Sequence, residues 1–277
     1  MGRGAQVTLL ASRAQAATSP AASEATAIRV RRVAKTFATR RGEVQALEAL
    51  DFDVPAGQFV SILGPSGCGK STLLRIVAGL IAPDSGGVVE VLGRVRAGVP
   101  QDVGVVFQTH NMLPWETVER NLGLAAEVQH LSRDEIDARV TQMLDVMGLA
   151  AFRKAYPHEL SGGMRQRAAL GQILVLRPQI LLLDEPFGAL DALTRDQLNV
   201  ELLRLWQELR KTVLLVTHSI AEAVFLSDRV LVMSGRPGRV LEDMIIDMPR
   251  PRDPRRTKQA PEFGQYVVRL EQLMGVE

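Results

Sequence analysis

From Ile28 onward the chain alternates short β-branched runs with stretches of helical periodicity, the pattern of a mixed sheet joined by crossover helices. Strands are predicted at Ile28–Ala34, Val44–Val54, Phe59–Leu63, Val103–Phe107, Ile180–Leu183, Val213–Val216, Arg229–Met233 and Val240–Ile246. Those that are apolar throughout read as buried parallel strands, because a strand covered on both faces has no solvent side to make polar. Between Thr117 and Leu176 the chain turns almost wholly helical. Ser132 and Glu135 form an S-x-x-E capping box, and Ile136, Val140, Met143, Leu144 and Met147 fall along one helical face. A helical lobe, about residues 112–176, is therefore expected as an insertion in an α/β domain spanning 28–246. A further helix carries Leu198, Leu202, Leu205 and Leu209 as a core-facing stripe.

The two flanks differ from this pattern. Residues 1–27 are rich in Ala, Ser and Thr, and Val7–Ala11 is too short for a secretory signal, so a disordered extension is expected. Residues 247–277 divide in two. Met248–Lys258, rich in Pro and Arg, reads as a solvated linker. The stretch with Phe263, Val267, Leu270 and Met274 reads as a docked terminal helix.

Composition adds exclusions. The 277 residues are 46% hydrophobic and 23% charged, with 33 Lys+Arg against 31 Asp+Glu for a net +2. That describes a globular chain long enough for a sizeable core, not a collagen-like, disulfide-framework or disordered one. No apolar run reaches the ~18 residues that a membrane-spanning helix needs. Near-balanced charge, with no basic run interleaved with aromatics, argues against a nucleic-acid partner. The single Cys68 cannot form an internal disulfide, which makes a reducing, cytosolic setting the expectation.

The first chemistry lies in Gly64-Pro65-Ser66-Gly67-Cys68-Gly69-Lys70-Ser71-Thr72, which fits G-x-x-x-x-G-K-[ST] between an apolar strand and a helical stretch, Thr72–Gly79. Glycines let successive backbone N–H groups turn inward as an anion nest, and the helix N-terminus adds partial positive charge there. Lys70 is expected to reach the β- and γ-phosphates of a nucleotide, and Ser71 to ligate Mg²⁺. Cys68 reads as a small buried residue whose alkylation should nonetheless block the pocket. A second centre follows Ile180–Leu183, where Asp184-Glu185-Pro186 stands at the C-terminal end of a buried strand, the place where doubly wound sheets collect ligands. Asp184 is assigned to the metal and Glu185 to the attacking water.

Leu160-Ser161-Gly162-Gly163-Met164-Arg165-Gln166-Arg167 opens a helix and offers a second phosphate-binding end. It resembles the LSGGQ-type signature of ABC ATPases, with Met164 where Gln is common. The resemblance covers about residues 28–246 and takes in the P-loop, Gln108 as the Q-loop, the signature, Asp184-Glu185, Gly188-Ala-Leu-Asp191 as the D-loop, and His218 as the H-loop, in that order. It implies an ATPase with ATP and Mg²⁺ as cofactors, and a head-to-tail pair of subunits with each ATP held between one P-loop and the partner's signature. It further implies that Gln108 senses Mg²⁺ and γ-phosphate, that His218 contacts the γ-phosphate, that Asp191 lines the dimer contact, and that Phe37 either stacks on adenine or fills the core.

Three phrases resemble the nitrate/sulfonate/taurine importer branch: Asn111-Met-Leu-Pro-Trp-Glu-Thr-Val118, Asp184–Arg195 and Val232–Arg239. That branch implies a peripheral subunit on the cytoplasmic face of the cell membrane, paired with a twin or paralogue. Its partners would be transmembrane permease subunits and, through them, a substrate-binding protein. Leu113, Pro114 and Trp115 are then docking residues, unless Trp115 is lobe core. Ser219 and Gln172 depart from that branch, which usually has Asp and Arg there. A soluble ABC-type ATPase that remodels nucleic acid or protein is the rival reading.

Overall fold

A computed structural model describes residues 25–275 apart from 41, 96, 97, 110 and 189. The expected N-terminal extension, up to residue 24, lies outside the described residues. Two long strands, β1 (Thr26–Thr39) and β2 (Gly42–Pro55), form an antiparallel hairpin with several register shifts. β3 (Phe59–Leu63) follows, buried at every position, then α1 (Lys70–Val77), β4 (Val88–Val91) and β5 (Arg94–Val95). β4 and β5 complete a four-stranded antiparallel sheet in the order β2-β1-β4-β5.

The second sheet takes in β3, β6 (Val103–Val106), β7 (Ile180–Asp184), β8 (Thr212–Thr217), β9 (Arg229–Met233) and β10 (Val240–Ile245) in the order β10-β9-β3-β8-β7-β6. Pairing is parallel from β9 through β3, β8 and β7 to β6, and only β10 runs antiparallel. The apolar strands are thus the parallel, doubly covered ones. Between β6 and β7 stand α2 (Val118–Val128), α3 (Arg133–Val146) and α4 (Gly162–Leu174), packed on one another. Ser132 and Glu135 make the reciprocal capping bonds at the start of α3. Val140, Met143, Leu144 and Met147 are buried, with Ile136 partly so. α5 (Ala192–Leu209) buries Leu198, Leu202 and Leu205, but Leu209, expected in the same stripe, is 39% exposed where the helix ends. α6 (Ile220–Leu226), α7 (Pro254–Gln259) and α8 (Pro261–Met274) complete the chain, with Phe263 and Leu270 of α8 buried.

The segment read as a solvated linker is instead pinned to the core. Arg252 is 5% exposed and donates to the carbonyls of Val224 (3.1 Å), Phe225 (3.0 Å) and Ser227 (2.8 Å). It thereby satisfies acceptors left open at the C-terminal end of α6. Burial pushes its guanidinium down to about 10, still cationic at neutral pH. Arg250 pairs with Asp228 (2.6 Å) and lies 4.2 Å above the Trp206 ring. Asp228 also accepts from the Phe59 N–H (2.9 Å), so the C-terminal layer is tied to the strand that delivers the P-loop. Sequence pattern misread this stretch because charge usually signals solvent, whereas here backbone carbonyls are its partners.

Candidate functional site

The P-loop leaves β3 at its C-terminal end and runs into α1. Its tight path depends on Gly69, whose φ of 106° suits glycine and whose missing Cβ would lie 2.6 Å from Leu47 Cδ2. Lys70 is 4% exposed, and its ammonium donates to the carbonyls of Gly64 (2.8 Å) and Pro65 (3.0 Å) at the base of the loop. A pocket of about 560 Å³ opens over the loop, lined by Ser66, Gly67, Gly69, Lys70, Ser71 and Thr72, with Phe37, Gln108 and Glu185 facing them. Phe37 is 39% exposed at the end of β1, so the core alternative for it does not hold.

The carboxylates arrive from β7. Ser71 Oγ donates to Asp184 Oδ1 (2.8 Å). Asp184 is held above the usual carboxylate range, first by burial, with the Ser71 bond opposing and the neighbouring Glu185 charge adding. Glu185 sits just past the strand at φ 44°, a strained conformation for a residue with a side chain. There its Oε1 lies 3.9 Å from the Lys70 ammonium and its Oε2 is 3.0 Å from His218 Nδ1. His218 leaves β8, next to β7 in the sheet, so adjacent parallel strands deliver Asp184, Glu185 and His218 to one end. A hydroxyl, a carboxylate and the nearby Gln108 amide are hard oxygen donors of the kind Mg²⁺ takes beside water and phosphate, and the cluster fits that ion.

Other expected residues fall elsewhere. Cys68 is 1% exposed with its sulfur packed toward Gly64, so its thiol neither lines the pocket nor stands open to alkylation, and only its backbone can serve. Gly64 and Pro65 contribute carbonyls to Lys70 rather than pocket wall. Ser161, Gly162 and Gly163 are not part of this pocket. Ser161 caps α4 by accepting from the Met164 N–H (3.3 Å), with the two glycines in the first turn. Asp191 caps α5 through the Thr194 N–H (3.0 Å). Ser219, one of the departures, caps α6 by accepting from Glu222 N–H (3.3 Å), a job that Ser does as well as Asp.

Against known proteins, the family model for ABC transporters matches residues 47–188. A nitrate import ATP-binding protein of a Synechocystis strain is 40% identical over 245 residues, 87% of this chain and 92% of that one. The chain belongs to the ABC transporter family. A taurine import ATP-binding protein of Rhizobium johnstonii is 46% identical over 234 residues, 83% of this chain and 89% of its own. A dimeric ATP-binding cassette in a post-hydrolysis state bound to ADP and Pi superposes with TM-score 0.70 at 31% identity, over 80% of this chain and all of that one. The α/β architecture expected from pattern is that of an ABC ATPase cassette, and the enzyme class is ATPase.

Two features escaped sequence reasoning. Asn121, fully buried in α2, ties down the loop before it by accepting from the Leu113 N–H (2.7 Å) and donating to the carbonyls of Leu113, Glu116 and Thr117. On that loop Trp115 stands 69% exposed, which removes the lobe-core alternative. Arg236, from the β9–β10 turn, also lines the pocket. A buried amide and a lone turn arginine carry no spacing signal, so only the folded chain reveals them.

Proposed function

We propose that this ABC ATPase energises a membrane importer for a small oxyanion or sulfonate, as a peripheral subunit on the cytoplasmic face. The observation that carries the hydrolytic half is the convergence on one pocket of an N–H-rich loop, the Ser71–Asp184 pair and Glu185 bonded to His218. ATP lies with its polyphosphate along the loop and its base toward Phe37. Lys70 turns from the Gly64 and Pro65 carbonyls to the β- and γ-phosphates. Glu185 orients the attacking water and takes its proton. His218 holds that carboxylate through Nδ1 and stands beside the γ-phosphate. Mg²⁺, held by Ser71, Asp184 and Gln108, supplies charge neutralisation of the phosphates when bound. Because Ser161, Gly162 and Gly163 do not line this pocket, they serve the ATP of a second copy, and Asp191 lies at that contact.

The transport half is supported by the exposed Trp115 on a loop braced by Asn121, close in sequence to Gln108, since a rigid aromatic beside a catalytic loop suits a docking anchor. Among the described residues no helix is long and apolar enough to cross a membrane, so transport requires permease subunits. Affinity purification from gently solubilised membranes tests this. A stoichiometric multispanning partner, lost in Trp115→Asp, is the expected result. Recovery only as a free, active ATPase favours the remodelling alternative.

A further inference from the structure

The turn Ser234–Arg239 between β9 and β10 is wired to both sides of the nucleotide pocket. Along β2, the Gly238 N–H donates to the Ala46 carbonyl (2.9 Å) and the Gly238 carbonyl accepts from the Glu48 N–H (3.0 Å). Toward the P-loop, a Cβ on Gly238 would lie 2.2 Å from the Cys68 carbonyl oxygen and 2.6 Å from Met233 Cε, so only glycine permits this approach. Ser234 closes the turn from within: its Oγ lies 2.8 Å and 3.0 Å from the Gly235 and Pro237 carbonyls and accepts from the Arg239 N–H (3.1 Å). The turn is therefore a braced platform.

From it Arg236 reaches back to the loop. Its Nε and one terminal nitrogen both donate to the Gly67 carbonyl, at 3.2 and 3.1 Å. A guanidinium carries five N–H groups, and its bonds to described residues go to that one carbonyl. The same side chain lines the pocket with Lys70 and Ser71. Lys70 supplies one cation to a ligand bearing several negative charges. A planar fork already anchored on one edge has little conformational freedom left to lose when its other edge takes an anionic oxygen.

We infer that Arg236 is a nucleotide-binding residue: it braces the P-loop through the Gly67 carbonyl and gives its remaining N–H groups to the polyphosphate. This rests on the reading that the pocket above the P-loop holds the nucleotide. Calorimetric titration of ATP·Mg²⁺ and ADP·Mg²⁺ into the full chain carrying Glu185→Gln, with Arg236, Arg236→Lys, Arg236→Gln or Arg236→Ala, tests it, with Lys70→Ala as the reference for the pocket. Arg236→Ala is expected to weaken both nucleotides about tenfold, about 1.4 kcal/mol. The gap should narrow at high salt because the lost contact is ionic. Arg236→Lys should recover part of the affinity. Arg236→Gln keeps a donor for Gly67 but no charge, and should stay near the Ala variant. Native affinity in the Gln variant reduces Arg236 to a loop brace and overturns the inference, as does native affinity in the Ala variant. Unchanged binding in Lys70→Ala overturns the pocket instead. If the Ala variant melts early, the Lys and Gln pair still decides.

Discussion

Glu185 is the residue on which the proposed chemistry turns, and three constraints converge on it: a left-handed backbone, a 3.0 Å bond from His218 and a 3.9 Å approach to Lys70. Strain of this kind persists only where the surroundings impose it. Glu185→Gln is expected to keep the geometry and lose the base. Steady-state hydrolysis should fall by about 10²–10⁴-fold while calorimetry shows ATP still bound. Near-native turnover would remove Glu185 from its role. Glu222, in the first turn of α6, makes a second prediction. It is 6% exposed, bonded by the Thr217 hydroxyl, and burial raises its carboxyl above the ordinary 4.5. The folded state then binds a proton more tightly than the unfolded chain, so the stability this group contributes is complete below 4.5 and is lost as pH rises through the folded value. Glu222→Gln, which cannot ionise, should lose less stability than the native chain as pH climbs from 4.5. Denaturant midpoints across a pH series measure the divergence, and parallel curves would contradict it.

At the scale of elements, the C-terminal layer stands on Arg252. Truncation to Ala would leave the Val224, Phe225 and Ser227 carbonyls without their donor. A cost of about 2–3 kcal/mol follows from such unsatisfied acceptors, visible as a lower urea midpoint. Amide exchange should quicken first in α8, which packs on α6. Unchanged exchange in α8 would show that Phe263 and Leu270 hold it unaided. What pattern could and could not foresee also separates at this scale. The capping box of α3 and the apolar β3, β7 and β8 were readable because their signals lie within a few neighbouring residues. β4 was missed: Val88–Val91 is four residues long, and its strand character comes from pairing with β1, far away in the chain. The solvated-linker reading failed for the same kind of reason, since Leu226 and Asp228, which accept from Arg250, and Val224, Phe225 and Ser227, which accept from Arg252, lie more than 20 residues earlier.

For the whole molecule, the decisive feature is that the two ends read from sequence as phosphate-binding do not share a pocket: the P-loop lies beneath its cavity, and Ser161 caps α4 elsewhere. In a two-fold pair each P-loop can meet the other copy's signature, and each contact is then made twice. Mixing inactive Lys70→Ala with inactive Ser161→Arg tests this. Mixed dimers would hold one intact site of two and make up about half of all dimers, so up to about a quarter of native hydrolysis should return. No recovery at any ratio would mean that the signature acts within its own chain or that both sites must be intact together.

The sequence by itself determined the chemistry on offer. Gly64–Thr72, Asp184-Glu185 and Ser161–Gly163 are short motifs whose expected chemistry depends on backbone conformation and side-chain type over a few residues, so spacing along the chain suffices to single them out, whereas His218 is singled out only by the family resemblance. It also determined the α/β class, because burial on both faces of a strand or on one stripe of a helix must be written into local polarity. Only the tertiary structure decided which of these groups meet. Parallel pairing of β7 with β8 puts Glu185 against His218, and the return of the β9–β10 turn puts Arg236 against the P-loop. It also decided that Arg252 is structural. Those outcomes depend on contacts between distant segments, whose cost in chain entropy is recovered only when the whole sheet forms, and no local pattern records them.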